Sequence, residues 1–401
     1  MTKTQIVSGL LGILGVAFSA IAFKYFPLPY IWITTYWGFY CLAASLKSSA
    51  NYKIFFFNLA FLALVFALLE SYAWHLLTKS GGPASTRLEG DYTDTRHYYS
   101  QDDILGYAPL KGRTVHSRKY QGNKLMYDVT YTIGPDGLRI SSASATHGST
   151  ECALFFGGSF TFGEGVNDDE TLPSVAGRLA HIQVYNFGFH GYGPHQMLSA
   201  LEHGLVEKLV QCRPTVAIYQ AVLHHVDRAA GIVAWGLHSP RYILDKDGNI
   251  SYAGHFDDSP ISWQRIRRRQ EILLKKSFFF QKYFQHRHRT ITDKDLRLFL
   301  EIVDASRKAA QARFPGIRFC ILLWDESPWN SKFQALQRGL EEKQIELHLI
   351  SRILPNLHSR PGQYTIGPAD PHPNAGTHKC IAEYVVEHIL QNPTASNTGG
   401  R

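Results

Sequence analysis

The sequence predicts an α/β domain with a mostly parallel sheet, preceded by three transmembrane helices and a small β-rich lead-in. Three observations carry this. Residues 5–23 and 25–46 hold no charged side chain, and residues 54–69 are again uncharged before Glu70. Apolar runs at 153–156, 183–187, 216–223, 318–323 and 345–350 alternate with helix-like stretches at about 171–181, 195–210, 294–313, 329–342 and 376–391, and such alternation implies parallel strands covered by helices on both faces. One run, within ECALFFGGSFTFGEG at residues 151–165, ends in glycines around Ser159, as a strand does when it turns to present a hydroxyl.

Taken in order, residues 1–79 read as the membrane region, with helices at about 5–23, 28–46 and 54–77, since about 20 apolar residues cross a ~30 Å hydrocarbon core. A cleaved leader is disfavoured, because two further apolar spans follow at once and no small-x-small site closes the first. Pro27 and Pro29 mark one interhelical turn and Lys47 to Lys53 the other. With the N-terminus cytoplasmic, Lys3, Lys47 and Lys53 lie inside and Lys24 outside, in line with the positive-inside tendency; Lys79 and Arg87 weigh the other way. The expectation is a multi-pass protein of the inner (cytoplasmic) membrane with an extracytoplasmic catalytic domain.

Residues 80–150 follow as a polar linker and the lead-in, in which YDVTYTI alternates with period two before the turn Gly134-Pro135-Asp136-Gly137. The main domain is expected over 151–392, interrupted by an insertion at 228–290 in which RYILDKDGNISY reads as a hairpin, and residues 393–401 are left as a tail.

The net charge of +8 is placed unevenly. Residues 265–289 carry nine Lys or Arg (from Arg265 to Arg289) against Glu271, interleaved with Phe278, Phe279, Phe280, Tyr283 and Phe284. A solvated helix face is the ordinary reading; contact with anionic lipid or substrate is the sharper one, and nucleic acid is not expected beside a membrane region. The five cysteines are scattered and form no C-x-x-C pattern, so they read as small apolar fillers.

Each group able to do chemistry falls just past a strand. Ser159 follows the first, Asn186 to Gly193 (NFGFHGYG) the second, and Leu223 to Arg228 (LHHVDR) the third; Gly367 to Asn374 (GPADPHPN) precedes the last helix. A serine nucleophile needs a base, and an imidazole base needs a partner to hold its tautomer. Asp370 and His372 offer both.

On these segments the C-terminal ~250 residues resemble the SGNH hydrolases, also called the GDSL esterase/lipase family, in their membrane-anchored bacterial form. The resemblance implies a flavodoxin-like three-layer α/β/α fold. It implies Ser159 as nucleophile, His372 as general base and Asp370 as orienting acid, with an oxyanion hole from Ser159, Gly191 and the third-block position. Three departures are visible. The first-block aspartate is Gly158, the third-block asparagine is His224 (or its neighbour His225), and Asp370 and His372 stand one residue closer than in the D-x-x-H form. The implied activity is a serine esterase acting on acyl esters, without cofactor or metal, and the membrane location alone points to a cell-envelope glycan or lipid as their carrier. An O-acyltransferase using the same triad and a non-catalytic glycan- or lipid-binding module are the alternatives.

Overall fold

The computed structural model describes residues 29–47, 50–79, 86–91, 95–141, 150–233, 235–258, 266, 270, 274, 277–284, 291–325 and 330–391. They fall into two compact units, one drawn from 1–84 and 266–289, the other from 85–265 and 290–401. Part of the segment read as an insertion of the catalytic domain therefore clusters with the N-terminal helices.

In the first unit, helices Pro29–Lys47 and Ala50–Lys79 pack along each other. Their outer face is apolar: Ile54, Phe55, Phe61, Leu62 and Leu68 are exposed, the reverse of a helix in a water-soluble core. The expectation of three transmembrane helices is corrected. Among the described residues one helix, Tyr52–Leu77, is long and apolar enough to cross a membrane. The segment read as 28–46 is helical, but its Tyr, Trp and Thr content leaves it short of that mark, and the span at 5–23 lies outside the described residues. Glu70, in the apolar helix, is fully buried. It accepts from the Ser277 hydroxyl and, at 2.7 Å, from the Phe278 N–H, so its carboxylate caps the short helix Phe278–Tyr283. Of the nine cations read in 265–289, Lys282 is described and the other eight lie outside, as does the tail at 393–401.

The second unit begins with the lead-in strands Thr86–Glu89 (β1), Tyr99–Asp102 (β2), Gly106–Pro109 (β3), Thr114–Gln121 (β4) and Lys124–Thr132 (β5). β1, β4 and β5 form an antiparallel sheet in that order, and β2 pairs with β3. Val115, Tyr127, Val129 and Tyr131 of β4 and β5 close a core with Phe162, Phe189 and Tyr192 of the main domain, so the lead-in is a wall of that domain.

The main sheet contains Glu151–Gly157 (β6), Gln183–Asn186 (β7), Arg213–Val222 (β8), Arg318–Trp324 (β11) and Glu346–Leu349 (β12), with the hairpin Pro240–Leu244 (β9) and Ile250–His255 (β10) between β8 and β11 in the chain. Its order is β12-β11-β8-β6-β7 and every pairing is parallel. This is the 2-1-3-4-5 winding of flavodoxin-like sheets, with a switch point between β6 and β8. Burial on both faces explains the unbroken apolar runs: in β6, Cys152, Leu154 and Phe156 face one core while Ala153 and Phe155 face the other. Helices Pro194–Glu202, Asp293–Arg313 and Ser331–Glu342 cover the first face, and Leu172–Ala180 and Ala375–Val385 the second.

The reading of all cysteines as fillers is corrected by a Cys152–Cys212 disulfide with Cα atoms 6.0 Å apart. It joins the foot of β6 to the residue before β8, two positions that sequence separation conceals and parallel pairing brings together.

Candidate active site

β6 delivers its chain to the switch point, where ligands bind in doubly wound folds. Past Gly157 and Gly158 the chain turns at once into the short helix Ser159–Phe162. The Thr161 hydroxyl donates to Gln220 Oε1 at 2.9 Å and so ties this turn to β8. Arg139 holds the loop after the helix: its Nη1 donates to the carbonyls of Phe162 and Gly163 at 2.8 and 2.6 Å, and its Nη2 to that of Val166 at 2.7 Å. Its Nε pairs with Asp168 at 2.8 Å, and the guanidinium lies over the rings of Tyr131 and Phe162.

The last hairpin, Thr365–Gly367 (β13) with Asp370–Pro373 (β14), brings the other two groups. His372 Nε2 lies 2.8 Å from Ser159 Oγ, and His372 Nδ1 lies 2.6 Å from Asp370 Oδ1. The carboxylate can only accept, so Nδ1 carries the proton and Nε2 accepts from the serine hydroxyl. Asp370 also accepts the His372 backbone N–H at 3.0 Å. Asp370 is fully buried, and its Oδ2 accepts from Lys119 Nζ of β4 at 2.7 Å. Burial alone would push the Asp370 carboxyl up, but the bond and charge of His372 together with Lys119 hold it down to about 2.

A second carboxylate stands on the opposite side of the imidazole. Glu164 Oε2 is 3.5 Å from His372 Nε2 and 2.7 Å from His190 Nδ1, while His190 Nε2 meets Tyr98 Oη at 2.5 Å. Burial would raise the Glu164 carboxyl, yet the neighbouring imidazoles outweigh it and hold it down to about 2. In return His372, which burial would lower, is raised above the ordinary histidine value by the Glu164 and Asp370 carboxylates.

Ser159, Glu164, His372, Gly191 and Arg228 open onto one cavity of about 470 Å³, whose walls include Tyr98, Tyr99, Tyr107, Phe189 and Trp235. Gly191 has φ +74, and a Cβ there would fall 2.5 Å from Tyr107 Oη, so glycine alone fits. The N–H groups of Ser159 and Gly191 have no acceptor among the described residues.

The third-block position differs from the reading. The His224 ring is half exposed, pairs with Asp227 at 2.9 Å and does not line the cavity. His225 is buried with Nδ1 on Tyr219 Oη at 2.7 Å, and burial pushes it well below the ordinary histidine value. Arg228, one turn further on, reaches the cavity instead. Sequence reasoning also passed over Glu164, Lys119 and Arg139. Glu164 left a signal, as the one charged residue among 153–165. Lys119 left none, standing 251 residues from Asp370. Among the described residues the groups able to hold a metal are His238, His255 and Asp258, and Cys320, Glu346 and His348; neither includes Ser159, Asp370 or His372.

No protein-family model and no curated protein matches the chain. Solved structures similar to it include esterases and a lipolytic protein. One described as lipolytic and of the G-D-S-L family, from Desulfitobacterium hafniense DCB-2, aligns at 15% identity and TM-score 0.32, covering 60% of this chain and 99% of that one. An acetyl xylan esterase from the rumen bacterium Butyrivibrio proteoclasticus aligns at 11% identity and TM-score 0.34, covering 66% of each chain. A carbohydrate esterase family 2 enzyme with a carbohydrate binding domain, from Corynascus thermopiles (Myceliophthora fergusii), aligns at 13% identity and TM-score 0.34, over 69% of this chain and 76% of that one. At these TM-scores the chemistry rests on the chain's own geometry.

Proposed function

We propose that the sheet domain is a serine esterase of SGNH type that works through an acyl-enzyme on Ser159. The observation that carries this reading is the chain of bonds from Ser159 Oγ to His372 Nε2 at 2.8 Å and from His372 Nδ1 to Asp370 at 2.6 Å, with Ser159 and His372 lining the cavity.

His372 takes the Oγ proton as Oγ bonds to the ester carbonyl carbon, and the carbonyl π pair moves onto its oxygen. The imidazolium so formed lies between the Asp370 and Glu164 carboxylates, which stabilise it. When the tetrahedral species collapses, the C–O bond to the leaving group breaks and His372 returns the proton to the departing alkoxide. Water then repeats the sequence on acyl-Ser159, releasing the carboxylic acid. Because His372 is a base only when neutral and is raised above the ordinary histidine value, activity is expected to climb on the alkaline side of that value.

The substrate is an acyl ester carried by a cell-envelope glycan or lipid. Aromatic walls suit the apolar faces of a sugar ring or an acyl chain. The apolar helix Tyr52–Leu77 supports anchorage in a membrane, and the Cys152–Cys212 disulfide supports placing the domain in an oxidising, extracytoplasmic compartment. Transfer of the acyl group to a sugar hydroxyl would use the same acyl-enzyme, with the sugar in place of water.

The test is fluorophosphonate labelling of the detergent-solubilised full chain beside Ser159→Ala and His372→Ala, with hydrolysis of p-nitrophenyl acetate followed in parallel. Labelling and hydrolysis are expected in the wild type and in neither variant. A folded wild type that takes no label and releases no acetate would refute the esterase reading.

A further inference from the structure

Resting on the esterase reading, we infer that Arg228 is a catalytic residue: its guanidinium is the side-chain donor to the oxyanion, the role the family resemblance implied for His224 or His225.

The argument starts from topology. β6 and β8 flank the switch point, Ser159 follows β6, and helix His224–Ala229 follows β8. A side chain one turn into that helix therefore reaches back across the crevice towards the nucleophile. Arg228 Nη1 donates to the Tyr192 carbonyl at 2.6 Å. A Cβ built on Gly158 would lie 2.5 Å from the same nitrogen. The guanidinium is thus wedged between the two segments, 158–159 and 191–192, that offer the Ser159 and Gly191 N–H groups to a developing oxyanion. Any side chain at 158 would displace it, which gives a physical reason for glycine where the family places aspartate.

The cation is also unspent. Arg228 is 8% exposed, its Nε has no hydrogen-bond partner, and among the described residues no carboxylate lies within 4.0 Å of it. Glu164 and Asp227 act on it only from a distance; a buried cation with no carboxylate in contact is costly to fold around, and the cost is offset when negative charge forms beside it during reaction. Such charge forms as Oγ bonds to carbon and the carbonyl π pair becomes the oxyanion; Arg228 gives up no proton and forms no bond. His225 is the weaker donor, because it does not line the cavity.

The experiment compares wild type with Arg228→Ala, Arg228→Lys and His225→Gln on p-nitrophenyl acetate, a neutral ester, with near-ultraviolet circular dichroism to verify folding. Arg228→Ala is expected to lower kcat by about 10²- to 10³-fold, the usual cost of one oxyanion donor, with KM within about twofold, and guanidinium ion at low millimolar concentration to restore activity to this variant alone. Arg228→Lys should fall between, since an ammonium keeps the charge and loses the fork, and His225→Gln should keep kcat within about threefold. Should Arg228→Ala not fold, Gly158→Ala serves: it keeps the charge but displaces it, and should lower kcat tenfold or more. Wild-type kcat in folded Arg228→Ala, or in folded Gly158→Ala, overturns the inference. So does a defect seen only as a raised KM for esters that carry a carboxylate, since this would make Arg228 a substrate-anion site. A wild type that neither takes the fluorophosphonate label nor hydrolyses the ester defeats the esterase reading itself, whereas a labelled wild type matched by Arg228→Ala defeats the role of Arg228 alone.

Discussion

Replacing Arg139 by Met keeps most of the side-chain volume and removes the charge that organises the loop after the nucleophile. The carbonyls of Phe162 and Val166 lose their donor, that of Gly163 keeps only the Val166 N–H at 3.4 Å, and Asp168 loses its charged partner while keeping the Thr132 N–H. A buried acceptor left unmade costs about 1–3 kcal/mol, and breaking a buried ion pair about 3–5 kcal/mol. The lower part of these ranges applies, because Asp168 is 18% exposed and keeps some water. Two carbonyls at about 1 kcal/mol each and the ion pair at about 3 kcal/mol give an expected loss of about 5 kcal/mol, several thousandfold in the folding equilibrium. Urea unfolding of the detergent-solubilised chain, followed by near-ultraviolet circular dichroism, reads it as a lower midpoint at unchanged slope. A loss of kcat should accompany it, since the same loop carries Glu164. A destabilisation below about 1 kcal/mol would show that the loop holds its own shape and that the reasoning about Arg139 is wrong.

Two substitutions should move the acid limb of kcat/KM in opposite directions. The Glu164 carboxylate helps raise His372 and the Lys119 ammonium lowers it, so Glu164→Gln should shift the limb to lower pH and Lys119→Met to higher pH; a shared direction would refute the electrostatic account. The same carboxyls set acid stability. Glu164 and Asp370 are depressed to about 2, so their contribution is present above the ordinary carboxyl range and is lost as pH falls towards that value. Raised His372 contributes below the ordinary histidine value and stops doing so as pH rises through its folded one. Changing both Cys152 and Cys212 to Ala opens a cross-link between residues 60 apart, and loop entropy puts the cost at about 4 kcal/mol. Thermal melts with kcat measured below the transition check it, and an unchanged melting temperature would count against a formed disulfide.

The parallel sheet was legible because burial on both faces writes unbroken apolar runs, and β6, β7, β8, β11 and β12 fall within a few residues of the runs at 153–156, 183–187, 216–223, 318–323 and 345–350. Ser159 and Gly191 were legible as candidates because each lies in a short segment just past a strand, and Asp370 and His372 because they stand together in a short proline-rich segment just before the last helix, where backbone and chemistry are local. The membrane region was over-read, since absence of charge marks a span only when the residues are also apolar, and Pro29–Lys47 is rich in Tyr, Trp and Thr.

Strand and helix periodicity, the glycine turn around Ser159 and the residue types available at each strand end were settled by the chain before any folding, because each depends on neighbours in sequence. Tertiary structure alone decided which of those residues share a site. Winding order places helix His224–Ala229 across the crevice from Ser159 and turns Arg228, rather than His224, to the cavity. It also sets Lys119 against Asp370 and Glu164 against His372 and His190, and joins Cys152 to Cys212. Side-chain electrostatics act over a few ångströms of space, and separation along the chain carries no record of that distance.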